Sequence, residues 1–219
     1  MTYWDYYWRF HRIFCDSYKK TIGVPLPKFV SDRQCLFIHI PKTAGMSLIK
    51  SLYGREIGHT RLSFYREIPD DIYVFSVVRN PFDRAFSAWN FLYQGGMIHH
   101  PNGIKFKQVV LDRFVDFNDF VCNWLACGNE RAFIHFVPQF EFLISKKGSF
   151  SRVDKLIKFE SLADDFEHLR QRVLGTSELK MVNVSGHKDY RKHYNKESIE
   201  HIVRIYKRDF ELLGYEDLF

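Results

Sequence analysis

Phe37-Ile38-His39-Ile40-Pro41-Lys42-Thr43-Ala44-Gly45-Met46-Ser47 (FIHIPKTAGMS) is the stretch from which the rest of the chain can be read. The apolar run from Cys35 to Ile40 predicts a buried strand, and Pro41 stops it. Gly45 to about Tyr53 predicts a helix. A strand that turns into a helix through a short polar loop leaves free N–H groups and a positive dipole end at the turn. That arrangement suits phosphate. The lysine precedes the glycine, so this is not the common nucleotide loop, G-x-x-x-x-G-K-[ST].

The pattern repeats downstream. Tyr73-Val74-Phe75-Ser76-Val77-Val78 predicts a second strand, and Pro81 opens a helix at its first turn. Phe82, Ala85, Phe86, Trp89 and Leu92 follow at helical spacing. Lys155 to Phe159 predicts a later strand, with a helix after Ser161. Continuous apolar strands alternating with helices imply a parallel sheet covered on both faces. Residues 94–118 are expected as an excursion, with turns at Gly95-Gly96 and Pro101-Asn102-Gly103. Residues 119–134 are expected to be helical. A final helix should run from about Lys196 to Leu213 and close at Gly214.

Composition bounds the chemistry. The chain has 219 residues, 46% of them hydrophobic, with 22 Phe, 12 Tyr and 4 Trp. Such a chain buries a sizeable core and is not disordered. A formal charge of +6 favours anionic partners without choosing among nucleotides, nucleic acid, acidic glycans and anionic lipid. Cys15, Cys35, Cys122 and Cys127 are too scattered for a disulfide framework, and Cys122 with Cys127 is a poor metal pair. No metal site is expected. No run is apolar enough to span a membrane and no cleavable leader opens the chain, so a soluble cytoplasmic protein is expected. The aromatic, basic start TYWDYYWRFHRIFCDSYKK predicts an amphipathic helix packed on the domain, with peripheral membrane contact as an alternative. Gly23-Val24-Pro25-Leu26-Pro27 should end it.

Ligands of open α/β sheets bind at the carboxyl ends of the strands. Lys42 there adds a mobile charge, Thr43 and Ser47 add hydroxyls, and Gly45 permits close approach of a ligand. After the second strand, Arg79 is shaped for bidentate phosphate contact, and Ser87 follows eight residues on. Two anion-reading segments at successive strand ends imply a ligand with two separated phosphate groups.

These segments resemble a known family. The chain is similar to the carbohydrate sulfotransferases that use 3'-phosphoadenosine 5'-phosphosulfate (PAPS), nearest to the chondroitin, dermatan and uronyl 2-O group and its bacterial relatives. FIHIPKTAGMS resembles the 5'-phosphosulfate loop and VVRNPFDRAFSAW the 3'-phosphate segment. HFVPQ (His135 to Gln139), LIKFESL (Leu156 to Leu162) and YKRDFELLGY (Tyr206 to Tyr215) also resemble family segments. Met46 stands where threonine is usual, Asn80 where aspartate is common and Trp89 where tyrosine is common.

The resemblance implies a P-loop-like three-layer fold with a central parallel sheet flanked by helices. Residues 1–34 would be the N-terminal helical segment and 35–219 the PAPS-binding domain. It implies transfer of the sulfuryl group of PAPS to a carbohydrate or glycoconjugate hydroxyl, releasing adenosine 3',5'-bisphosphate. The implied cofactor-binding residues are Pro41, Lys42, Thr43, Ala44, Gly45, Met46, Ser47, Arg79 and Ser87. Tyr190 and Arg191, in the basic and aromatic segment 185–194, would cover the nucleotide or grip the acceptor. Tyr194 is a second candidate for stacking, and Arg84 and Lys105 are candidates for an acceptor cleft.

Lys42 would stabilise the leaving oxygen. Gly58-His59-Thr60-Arg61-Leu62-Ser63-Phe64 resembles the short histidine segment that carries the base in the uronyl 2-O branch, and an imidazole with a pKa near ~6.5 suits that task. Glu56 is the rival base, and His39 is expected to be structural. Two other functions compete. A nucleotide-dependent phosphotransferase would need a magnesium arrangement that no strand-end aspartate pair provides. A non-enzymatic polyanion binder would satisfy the charge but leave the paired motifs without purpose.

Overall fold

The computed structural model describes residues 2–96, 101–162, 164–165, 189–217 and 219. The chain divides into two compact units. One comprises Asp16–Asn80 and Gln139–His187; the other comprises Met1–Cys15, Pro81–Pro138 and Lys188–Phe219.

The first unit holds the sheet. Strands β1 (Cys35–Ile38), β2 (Tyr73–Val78) and β3 (Lys155–Lys158) lie in the order β1-β2-β3. Both pairings are parallel, with Cys35 opposite Tyr73 and Phe75 opposite Lys155. β1 is buried along its whole length, as its unbroken apolar run requires. Helix α3 (Gly45–Tyr53) follows β1 and packs Leu48, Ile49 and Leu52 on Phe37, Phe75 and Val77. The α3 end also finishes the sheet edge. Tyr53 donates its hydroxyl to the Cys35 carbonyl and accepts from the Phe37 N–H, both at 2.9 Å, so a side chain occupies two ladder positions of β1.

Strand β1 is shorter than its apolar run, which continues to Ile40. Beyond Ile38 the main chain is used otherwise: the His39 carbonyl accepts from the His59 ring, and the Ile40 carbonyl accepts from the Thr43 hydroxyl. A short helix α2 (Lys28–Arg33), absent from the expectations, precedes β1. The helix expected after Ser161 falls largely outside the described residues.

The second unit is helical. It contains most of α1 (Tyr3–Ile22), then α4 (Pro81–Tyr93), α5 (Pro101–Val109), α6 (Phe117–Asn123), α8 (Lys196–Ile205) and α9 (Lys207–Leu213); the short α7 (Phe140–Leu143) belongs to the sheet unit. Aromatic rings dominate its core: Trp8, Phe82, Phe106, Phe120, Trp124 and Phe136. Within it, Asp5 accepts from the Trp124 indole at 2.8 Å and from Arg113 at 3.0 Å.

Three expectations are corrected here. Pro101-Asn102-Gly103 is not a turn but the start of α5, where proline's missing N–H costs nothing. The helix expected over 119–134 starts at Phe117 and ends at Asn123; a 3-10 turn at Leu125–Cys127 follows, and Gly128 takes φ 81°. The single terminal helix is two. It breaks at Tyr206, which is 1% exposed and donates its hydroxyl to the Phe136 carbonyl. Gly214 closes α9 in the left-handed region, as expected.

Candidate functional site

The Pro41–Ser47 loop joins β1 to α3. Lys42 and Ala44 both take the left-handed conformation, with φ 70° and 61°. Neither is glycine, so holding them there costs about 1–3 kcal/mol each, and such strain concentrates at ligand sites. Left-handed residues at alternate positions of a loop are the backbone pattern that lets successive N–H groups converge on an anion, and here they lead into the first turn of α3.

Gly45 owes its identity to packing on the protein side. A Cβ built on it would stand 2.2 Å from Cδ2 and 2.4 Å from Nε2 of His39. The approach that excludes a side chain is therefore that of the His39 ring, not only that of a ligand. The Thr43 hydroxyl, expected to face a ligand, instead donates to the Ile40 carbonyl at 3.0 Å and locks the turn. Met46 is 38% exposed. The expectation for the Ser47 hydroxyl falls on a side chain outside the described structure.

Arg79, at the end of β2, reaches the loop. Its Nη1 donates to the Lys42 carbonyl at 3.0 Å, and its guanidinium carbon lies 4.3 Å from the centre of the Phe159 ring. Burial first, and the charge of Arg79 second, bring the Lys42 ammonium down to about 8. The loop lysine and the strand-end arginine are thus together, close enough to repel. An anion between them relieves that repulsion, so the residues present fit a phosphate-bearing ligand.

His59 belongs to the same unit and lies against His39, the residue that follows β1. Its Nδ1 is 3.0 Å from the His39 carbonyl, and its ring centroid is 4.1 Å from that of His39. A carbonyl oxygen has no proton to give, so Nδ1 carries the hydrogen and the neutral ring keeps its lone pair on Nε2. His39 itself is 5% exposed. Burial chiefly, with the charge of His59 adding to it, drives its pKa down to about 2, so it stays neutral. That agrees with a structural role. Glu56, the rival base, is exposed and lines a cleft with Phe29, Arg55 and Thr60.

Ser87, Tyr190 and Arg191 belong to the helical unit. Ser87 is half-buried on α4. Arg191 is exposed, its guanidinium carbon 5.5 Å from the centre of the half-buried Tyr190 ring. Tyr194, a candidate for stacking on a ligand, is committed to the core: its hydroxyl donates to the Phe82 carbonyl at 2.7 Å and its ring packs edge-on to Phe82 and Phe117. Arg84 is 1% exposed, which removes it from any acceptor cleft. Lys105 lies with its ammonium 4.2 Å from the centre of the Trp4 ring. Residues 185–188 lie outside the described residues.

Among the described residues, Cys122, Glu197 and His201 bring metal-ligand atoms within 4.8 Å of one another, a grouping that does not include Cys127. Arg204 stands 3.0 Å from Nδ1 of that histidine and puts a positive charge beside the cluster.

Two site residues escaped the sequence argument. Gln139 brackets the main chain of Arg79, and Phe159 supplies the face on which its guanidinium lies. Both sit in segments that resemble the family, HFVPQ and LIKFESL, yet no spacing connects them to Arg79.

A parallel α/β sheet carries, at adjacent strand ends, a strained lysine loop and an arginine, residues whose chemistry fits a phosphate-bearing ligand. The family profile of the sulfotransferases matches residues 29–216, and the chain belongs to that PAPS-dependent family. No curated protein and no solved structure matches the chain. Among the described residues no helix is long and apolar enough to cross a membrane.

Proposed function

We propose that this chain transfers the sulfuryl group of PAPS to a hydroxyl of a carbohydrate or glycoconjugate. The observation that supports the proposal is the Arg79–Lys42 contact, which joins the loop lysine to the strand-end arginine. Family membership supports the sulfuryl transfer. The carbohydrate acceptor rests on the resemblance of the histidine and loop segments to the uronyl 2-O branch, and the net charge of +6 favours an acidic glycan. In this proposal residues 35–219 form the P-loop-like three-layer PAPS-binding domain, residues 1–34 are its N-terminal segment, and the protein works in the cytoplasm.

When bound, PAPS supplies a sulfuryl group activated by a phosphate leaving group. The loop N–H groups, with Lys42, would hold the 5'-phosphosulfate end, while Arg79 would hold the 3'-phosphate. His59 accepts the acceptor's proton on Nε2 as that oxygen bonds to sulfur. The bond from sulfur to the phosphate oxygen breaks, and its electron pair leaves with the bisphosphate. Lys42 and the loop N–H groups meet the charge that grows on that oxygen, fixed donors that need no reorganisation.

Calorimetry with adenosine 3',5'-bisphosphate, AMP and ATP tests the cofactor. The bisphosphate should bind much the tightest; equal affinity for AMP would remove the 3'-phosphate assignment. Labelled PAPS offered with a panel of glycans and small glycosides tests the acceptor. Transfer only to protein tyrosine would reject the carbohydrate while sparing the cofactor.

A further inference from the structure

We infer that Gln139 is a positioning residue that sets Arg79 for phosphate recognition, an inference that rests on the reading of Arg79 given above. The ladder between β2 and β3 ends with Val78 opposite Lys158, so Arg79 is the first residue beyond it. There a side chain takes over the work of a strand. The Gln139 Oε1 accepts from the Arg79 N–H at 2.9 Å, and its Nε2 donates to the Arg79 carbonyl at 2.8 Å. A main-chain N–H can only donate and a carbonyl can only accept, so the amide has one orientation that satisfies both.

Gln139 is 0% exposed, so these bonds do not compete with water. Its own place is fixed from the next residues. Glu141, in α7, pairs with Arg61 at 3.0 Å, and Arg61 also pairs with Asp16 at 3.0 Å. The peptide after Arg79 is held in the same manner, since Glu160 Oε1 accepts from the Asn80 N–H at 2.7 Å. With its main chain held on both sides, Arg79 lays its guanidinium on Phe159 and against the Lys42 carbonyl. A planar fork recognises phosphate only when its plane and reach are set, so a strand end free to fray would forfeit the bidentate geometry.

The test compares Gln139→Met, which keeps length without hydrogen bonds, with Gln139→Glu, which keeps the acceptor and loses the donor to the Arg79 carbonyl. Affinities for adenosine 3',5'-bisphosphate and for AMP are measured by calorimetry, beside Arg79→Ala and the double variant Gln139→Met/Arg79→Ala. Gln139→Met should weaken bisphosphate by about tenfold and leave AMP within about twofold, the scale of lost buried hydrogen bonds. The Gln139 effect should vanish in the Arg79→Ala background, which a general loss of packing would not reproduce. Should Gln139→Met not fold, Gln139→Glu carries the comparison, and a selective loss is expected there too. Equal weakening of both nucleotides, or an undiminished effect in the Arg79→Ala background, overturns the inference and leaves Arg79 as proposed. If Arg79→Ala itself preserves the preference for bisphosphate, the assignment of Arg79 fails first and the inference falls with it.

Discussion

The main-chain carbonyl of His39 accepts a hydrogen bond from Nδ1 of His59 at 3.0 Å, while the His39 ring lies against the glycine that opens α3. One residue thus touches both the loop that would hold the phosphosulfate and the imidazole that would take the acceptor's proton. The carbonyl selects the tautomer with its lone pair on Nε2, a contact that survives any substitution of the His39 side chain. The His39 ring, held neutral by burial, adds no positive charge beside the base.

His59→Ala should therefore separate chemistry from binding. Turnover should fall by roughly 10²–10⁴-fold, the scale of a lost general base, while bisphosphate affinity stays near that of the native protein. The decline of the native rate on the acid side, where imidazole protonates, should disappear with it. Rate against pH, measured with nucleotide affinity in parallel, checks both. Full turnover with the acid limb intact would pass the role to Glu56.

Gly45→Ala should damage the loop through His39. The added Cβ would meet the ring at 2.2 Å, so the loop or the ring must shift. Overpacking of that kind costs about 1–3 kcal/mol, read here as a lower urea midpoint, and bisphosphate binding should weaken because the loop is displaced. In His39→Ala/Gly45→Ala the two losses should be less than additive, since removing the His39 ring opens the space that the new Cβ enters. Simple additivity would mean that the two residues do not press on one another.

What the sequence revealed follows a physical division. β1, the loop and α3 were legible because they are contiguous: an apolar run, a proline, a basic turn and a helical period lie within 35–53. The same holds for β2 and α4. The clamp on Arg79 was not legible, because Gln139 sits sixty residues away and a bond from a side-chain amide to main chain leaves no period. Likewise Gly45 announces a tight place but not that His39 fills it. The break at Tyr206 was hidden for a similar reason. Helical periodicity runs through it, and the buried hydroxyl contact with Phe136 that accompanies the break is tertiary.

Asp5 should anchor the helical unit in a pH-dependent way. Burial pushes its carboxyl up, but the bonds from the Thr2 N–H, the Trp124 indole and Arg113 outweigh that and leave it below an ordinary aspartate. A carboxylate depressed on folding contributes stability above its unfolded pKa and loses it as pH falls through the folded value. Asp5→Ala should cost roughly 1–3 kcal/mol near neutral pH, because the buried indole N–H loses its partner. The gap between native and variant urea midpoints should narrow as the medium is acidified below the ordinary aspartate range. A gap independent of pH would make Asp5 a packing residue only.

Lys42 should impose the opposite limb on nucleotide binding. Burial, then Arg79, holds its ammonium at about 8 in the free protein, and a bound phosphate favours the charged form. Below that pH the cation is already present, so Lys42 should add no pH dependence to the affinity for adenosine 3',5'-bisphosphate. Above it, the ligand must draw in a proton to restore the charge, so affinity should fall as pH rises. Calorimetry in buffers of different ionisation enthalpy reads that proton directly, with uptake expected only on the alkaline side. Lys42→Arg keeps its charge throughout and should abolish the alkaline decline, whatever it does to affinity overall. Arg79→Ala removes the repelling neighbour and should move the decline to higher pH while weakening the bisphosphate. Proton uptake that Lys42→Arg leaves unchanged would assign the alkaline limb to another group and separate Lys42 from the phosphate.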